Sequence, residues 1–277
     1  MKLNCLLGRT GCIETPMAML PFYRLSEEEI LLFDSGREPS PELLELLERE
    51  RLGVRAVLCT HLHEDHIANN EALISRYGTE IYASKGDIAE LCSRDPVPYP
   101  IQAIGDGDVL RIGGTEIRLL PLAGHTEGQT AYVTPDGVCC VGDAIMTGKP
   151  LERAKIPYME DVDESMVSME RLRQTEYPLY VAAHKGVVRR EELSELIDRN
   201  IQKELELYQL LRSQITEPTP LEQAITDFIR GAGVLSQKMV EEGYVRHTAK
   251  VRVLALVRAG EFSMKDGSVV PNRFRDR

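Results

Sequence analysis

His61-Leu62-His63-Glu64-Asp65-His66 places four metal-suited side chains within six residues, directly after Gly53-Val54-Arg55-Ala56-Val57-Leu58-Cys59-Thr60. That preceding run is short, apolar and β-branched, which predicts a buried strand ending where the donors begin. If the backbone stays extended, the period-2 spacing of His61, His63 and Asp65 sends all three side chains to one side, and His66 opens a helix over 67–77. Imidazole and carboxylate together are the donor set that borderline divalent metals prefer. The helical zincin spacing is absent, because the residue four positions after His63 is Ile67.

Working outward, three more predicted strands end on a donor. The run 116–122 leads into Gly124-His125-Thr126-Glu127-Gly128, 138–141 into Gly142-Asp143-Ala144, and 179–183 into His184. A lone loop histidine is usually a polar surface residue, but donors at four strand ends are what a metal site at one sheet edge requires. Five of the six histidines belong to this set; His247 lies far along the chain and reads as a surface or packing residue. Lys185, just after His184, and Tyr158, in the loop Ile156-Pro157-Tyr158, are candidate substrate contacts.

With Asp34-Ser35-Gly36 following the strand 30–33, these motifs resemble the metallo-β-lactamase superfamily, over roughly residues 1 to 190. The resemblance implies a four-layer α/β/β/α sandwich and two divalent metal ions, zinc being the expected metal with iron or manganese as alternatives. It assigns His61, His63 and His125 to one ion, Asp65, His66 and His184 to the other, and Asp143 to a bridging position. Asp34 becomes a supporting residue that steadies the histidine loop without touching metal. A hydroxide shared by the two ions is the implied nucleophile, and Asp65 the implied proton shuttle. Hydrolysis of a small ester, thioester or lactone, as in glyoxalase II-like enzymes, is the first expectation. A two-metal phosphodiesterase or endoribonuclease is the second, and an iron-dependent redox enzyme or oxygenase the third. The family name does not itself imply β-lactam hydrolysis, since fold does not fix reaction.

Composition narrows the partners. Hydrophobic residues make up 43% and charged residues 28% of 277, ordinary values for a globular chain, and no apolar run reaches the ~18 residues of a membrane helix. The apolar start at 1–8 is too short for a signal segment and reads as a first strand. Six cysteines without a C-x-x-C pair suit a reduced, cytoplasmic protein, with Cys59 and Cys140 packed as small apolar side chains and Cys5 and Cys12 near the metal loops. The net charge is -11, carried by residues 1–216, whereas residues 217–277 are mildly basic. An acidic exterior, no Trp and five Phe disfavour nucleic acid and leave a small molecule as the expected substrate.

The order of elements predicts two β-rich halves. In the first, a loop over 9–21 separates the opening strand from strands at 22–25 and 30–33. A helix at 41–51, strand 81–83, helix 87–93 and a hairpin across Gly113-Gly114 complete that half. The second half holds a hairpin about Pro135-Asp136-Gly137, a helix over 163–173 and the strand 179–183. After the catalytic unit 1–190, a connecting helix fills 191–216, broken by Glu217-Pro218-Thr219-Pro220. The extension 217–277 holds helices at 221–230 and 245–258 and a hairpin about Asp266-Gly267, an order resembling a winged helix. A lid or homo-oligomer contact is the expected role of this extension.

Overall fold

The computed structural model describes residues 1–94, 98–105 and 108–272. Strands β1 (Lys2–Leu7), β2 (Thr10–Glu14), β3 (Met19–Arg24) and β4 (Glu29–Phe33) form an antiparallel meander. Helix α1 (Pro41–Arg49) then crosses to β5 (Gly53–Leu58), which pairs parallel with β4. Short α2 (Glu64–Ile67), α3 (Asn70–Tyr77), β6 (Glu80–Ser84), α4 (Lys85–Arg94) and β7 (Gln102–Ile104) extend the sheet to seven strands in sequence order. The second sheet contains β8 (Val109–Ile112), β9 (Thr115–Pro121), β10 (Thr130–Val133) and β11 (Val138–Gly142). After α5 (Gly148–Arg153) and α6 (Val162–Arg173) it is completed by β12 (Leu179–Ala182) and β13 (Gly186–Arg189), in the order β13-β12-β11-β10-β9-β8.

The four layers follow from side-chain alternation. Leu31, Phe33, Ala56 and Leu58 of the first sheet meet Ile117, Tyr132 and Cys140 of the second in one apolar seam. Their neighbours Ile30, Leu32, Val54 and Val57 face the other way, onto Leu43, Leu46 and Leu47 of α1 and Leu73 of α3. Ala131, Val133, Cys139 and Val141 likewise turn outward onto Met169 and Leu172 of α6. Strands buried on both faces read as unbroken apolar runs, and this is why 30–33 and 138–141 show no polar alternation.

Two expectations change. The segment 9–21 is not a loop: β2 runs through it, wholly buried from Thr10 to Ile13 and paired on both sides. The helix expected over 67–77 is split into α2 and α3 at Ala68-Asn69. Asn69 causes the split, since its amide donates to the carbonyls of Ser35 and Glu38 and its oxygen accepts from the Ser40 amide, bonds made to backbone outside the helix.

Beyond β13, α7 (Arg190–Gln214) leads to β14 (Thr219–Pro220), α8 (Leu221–Gly231), α9 (Gln237–Glu241), α10 (Gly243–Arg258), β15 (Phe262–Lys265) and β16 (Ser268–Pro271). The last hairpin turns on Asp266 and Gly267, both at positive φ (49° and 77°), as a tight two-residue turn demands. β14 joins it as an edge strand, giving a three-stranded sheet beside the helices. Leu207 and Leu211 of α7, Phe228 of α8 and Val253 and Leu256 of α10 belong to the same apolar cluster as Met169 and Leu172, so the extension packs continuously onto the second sheet's helical layer. Among the described residues, no helix is long and apolar enough to cross a membrane.

Candidate metal centre

The candidate donor side chains lie on the segments that follow four strand ends. His61 follows β5; His63 is extended (φ −68°, ψ 148°) and caps α2, which carries Asp65 and His66. Asp65 is therefore helical, not the third member of an extended run. His125 follows β9, Asp143 follows β11 and His184 follows β12. The parallel β11/β12 pair ends Asp143 and His184 at the same edge.

The Asp143 carboxylate is the hub. Its Oδ2 lies 3.1 Å from His184 Nε2, 3.6 Å from His66 Nε2 and 3.7 Å from His125 Nε2. Asp65 Oδ2 is 3.5 Å from His184 Nε2, and His63 Nδ1 is 3.0 Å from His125 Nε2. The donors form three groups: His61 with His63 and His125; His61 with His66 and Asp143; Asp65 with His66 and His184. Within each group the donor atoms lie within 4.8 Å of one another.

Asp34, at the end of β4, supports the loop from beneath. Its backbone is left-handed (φ 60°), an uncommon choice for a residue with a Cβ. The carboxylate accepts from the Thr60 amide (2.7 Å), the Thr60 hydroxyl (2.8 Å) and His66 Nδ1 (2.9 Å). Asp34 holds the Nδ1 proton of His66 and so aims Nε2 toward Asp143, where a bound cation would take the place of the second ring proton. His125 is oriented in the same way by a 3.1 Å bond from Nδ1 to the Tyr158 carbonyl.

Electrostatics divide the site. Burial, then the neighbouring imidazoles, holds His61 well below the usual histidine range, and burial followed by His66 lowers His63. Burial pushes His125 down to about 4. These three rings are neutral at physiological pH and offer lone pairs. On the other side, burial works against charge on His66, but Asp34 and Asp143 outweigh it and hold the ring well above its ordinary value. His184 is raised chiefly by its hydrogen bond to Asp143. For Asp143, burial is outweighed by His66 and His184, and the carboxylate sits well below its usual range.

Whether these residues suit metal is decided by two atoms. His61 Nε2 and His66 Nε2 are buried and lack a hydrogen-bond partner, and such orphaned groups normally cost ~1–3 kcal/mol each. Both belong to the donor cluster, where divalent ions would supply the partner they lack, so the residues present fit such ions.

Around this cluster, Tyr158 packs edge-on against His63 and His125, with centroids 5.0 and 5.3 Å away. Its hydroxyl donates to Glu160 (3.3 Å), whose carboxyl is pushed up to about 7 by burial and then by Glu90. Lys185 is exposed and left-handed (φ 62°), with its carbonyl held by the Thr147 hydroxyl. His247, remote in sequence, stacks on Tyr158 at 6.1 Å from helix α10, so the extension reaches the rim of the site. Sequence reasoning missed this neighbour and Thr60. Thr60 directly precedes His61 and had a local signal; His247 had none. Cys12 is buried within β2, its thiol pushed up to about 12 by burial and then Glu14, and Cys59 is buried behind the loop. Among the described residues every cysteine is free.

Residues 22–184 match the model of the metallo-beta-lactamase superfamily. Hydroxyacylglutathione hydrolase of Chromohalobacter salexigens is 27% identical over 125 residues, 44% of this chain and 45% of that protein. The enzyme of the same name from Acidiphilium cryptum is 33% identical over 91 residues, 33% of this chain and 35% of that protein. The chain thus spans less than half the length of these curated relatives. Among solved structures, a metallo-beta-lactamase family protein from Thermus thermophilus superposes with a TM-score of 0.73 at 16% identity, covering 97% of this chain and 100% of that one. A beta-lactamase domain protein from Burkholderia ambifaria gives 0.73 at 17% identity, covering 98% and 93%. At these identities the likeness is one of fold, and it takes in the C-terminal helices.

Proposed function

The chain belongs to the metallo-beta-lactamase superfamily, and from that premise we propose that it is a dinuclear metal-dependent hydrolase of a small hydroxyacyl thioester, ester or lactone. The observation that carries the reading is the meeting of two donor triads at the Asp143 carboxylate, with two buried imidazole nitrogens that lack a hydrogen-bond partner. His61, His63 and His125 would hold one ion, Asp65, His66 and His184 the other, with Asp143 between them. When bound, the ions supply an acidified water, with its pKa brought toward ~7, and a Lewis acid for the scissile carbonyl.

The protein's own groups do the rest. Neutral His61, His63 and His125 offer lone pairs without first losing a proton. Asp65 keeps one carboxylate oxygen for accepting a proton and passing it to the leaving group. Tyr158 walls the His63 and His125 side against water, and its hydroxyl sits beside a Glu160 carboxyl that keeps a proton close to neutral pH. Lys185, exposed next to His184, is placed to orient an anionic part of the substrate. Acyl chemistry is supported by the curated relatives, which are named for a hydroxyacyl thioester, and by the net charge of -11, which opposes capture of polyanions.

The test is a hydrolysis panel on zinc-loaded protein, with a 2-hydroxyacyl thioester, a lactone, a phosphodiester and a short RNA. Thioester or lactone cleavage, lost on chelation, restored by zinc and absent in Asp143→Asn, is the expected result. Phosphodiester or RNA cleavage without acyl hydrolysis replaces the proposal with a nuclease. Dioxygen consumption by the iron-loaded protein alone replaces it with an oxygenase.

A further inference from the structure

Arg252 of α10 and Glu204 of α7 form an ion pair with both side chains fully buried. All five guanidinium N–H groups are engaged. Nε and Nη2 donate to the two Glu204 oxygens (2.8 Å each), Nη1 to the Thr248 carbonyl (2.9 Å) and hydroxyl (2.7 Å), and Nη2 also to the Pro157 carbonyl (2.9 Å). Stability alone does not account for such a pair. Desolvating two charges offsets most of their attraction, and apolar side chains of the same volume serve a helix interface as well or better. Around the pair α7 and α10 already interlock through Leu207, Leu211, Val253 and Leu256. What apolar side chains cannot do is grip the backbone at Pro157.

That grip leads to the metal centre. Thr248, fixed by Arg252, accepts from the Met159 amide (3.0 Å) and donates to the Pro157 carbonyl (3.0 Å). Residues 157 and 159 are therefore clamped from α10, while the Glu160 and Asp161 amides both donate to the carbonyl of Gly124, the residue before His125. Between these anchors lies Tyr158, whose carbonyl accepts from His125 Nδ1 and whose ring packs on His63 and His125. The other half of the centre is oriented differently, His66 by Asp34 and His184 by Asp143.

We propose that the Glu204–Arg252 pair is a positioning element of the metal centre: by clamping the Tyr158 segment it fixes the tautomer of His125 and serves the His61/His63/His125 half alone. The inference rests on the ligand roles proposed above and assigns the C-terminal extension a part in building the site.

Three variants test it: the double change Glu204→Leu with Arg252→Met, which keeps the interface apolar; Arg252→Lys, which keeps the charge but cannot hold Glu204, Thr248 and Pro157 together; and Thr248→Val. Zinc titration of the full chain reads the two sites separately. Nitrogen-15 NMR of the histidine rings in metal-free protein reads the His125 tautomer, and urea unfolding reads the fold. The expected result is cooperative unfolding, near the wild-type midpoint for the double variant and at a lower one for the two single variants, with one zinc site weakened 10–100-fold, the other within about twofold, and loss of the single Nδ1–H form of His125. A folded variant that keeps both zinc affinities and the wild-type tautomer overturns the proposal, as does equal weakening of both sites. If the double variant fails to fold, Arg252→Lys and Thr248→Val decide by the same criteria. Should wild-type protein take up no zinc pair, the proposed function fails by itself, and the tautomer measurement still decides whether the clamp acts on His125.

Discussion

Replacing Asp34 separates the support of the metal loop from the loop itself. In the native protein three donors converge on its carboxylate, from the Thr60 amide, the Thr60 hydroxyl and His66 Nδ1, all within 2.9 Å. Asp34→Ala leaves a buried amide and a buried imidazole N–H unpaired, and losing one partner of such a buried charged cluster costs about 3–5 kcal/mol. Alanine also inherits the left-handed backbone at φ 60°. Asp34→Gly, free of that Cβ penalty, should therefore be about 1 kcal/mol more stable than Asp34→Ala despite having fewer atoms. Asp34→Asn is the sharper probe. Its single oxygen satisfies the Thr60 amide, but its NH2 group then faces His66 Nδ1, donor against donor. The contact is relieved when His66 gives up its Nδ1 proton and stays protonated on Nε2, the nitrogen aimed at Asp143 from 3.6 Å. The expected cost to folding is only about 1–3 kcal/mol, but the metal affinity of the Asp65/His66/His184 half should fall 10–100-fold. Urea unfolding and zinc titration on the same preparations supply both quantities. An Asp34→Asn protein that binds two zinc ions with wild-type affinity refutes the tautomer argument, and an alanine variant as stable as the glycine one refutes the strain argument.

The other expectations concern charge, space and binding. In metal-free protein His125 titrates near 4 against an ordinary 6.5. The unfolded chain therefore binds a proton there that the folded chain refuses, and stability is lost as pH falls from 6.5 toward 4, by about 3 kcal/mol from this group. His125→Gln should flatten that stretch of the urea-midpoint profile, and an unchanged slope would count against the assignment. Gly142 has φ +56°, and a Cβ there would lie 2.4 Å from Thr60 Oγ1 and 2.8 Å from Gln129 Nε2. Gly142→Ala should destabilise by about 2–4 kcal/mol and dislodge Thr60 from Asp34; thermal unfolding within a degree of wild type would contradict this. His247→Ala removes a rim contact without touching the donors, so KM should rise severalfold with kcat near wild type. A fall in kcat with KM unchanged would place His247 in the reaction itself.

The candidate donors were legible because the segments that carry them are announced locally, by apolar β-branched runs that lead into a histidine or aspartate. The alternation that builds four layers was legible for a related reason, since runs such as Ile30–Phe33 and Val138–Val141 are buried on both faces. What escaped notice lacks a local announcement. β2 is five residues long and contains Gly11, so its strand character comes from pairing with β1 and β3 on either side. β13 is a four-residue strand that pairs β12 across the His184 loop, and β14 is two residues ending in a proline that is tolerated only at a sheet edge. The break between α2 and α3 depends on the carbonyls of Ser35 and Glu38, more than thirty positions before Asn69.

The same distinction explains why the extension read as an appendage. Its contribution to the site runs through contacts about ninety residues apart, from Arg252 to Pro157, from Thr248 to Met159 and from His247 to Tyr158. None of these leaves a periodic trace. A metal ligand must be a particular chemical group, so its identity survives in the sequence, whereas the group that orients it can be any backbone carbonyl held in the right place. Here that carbonyl belongs to Tyr158, and what holds it is a charge pair on two other helices. A buried Arg–Glu pair beside an apolar helix interface is therefore as informative about the centre as the histidines, but only once the chain is folded.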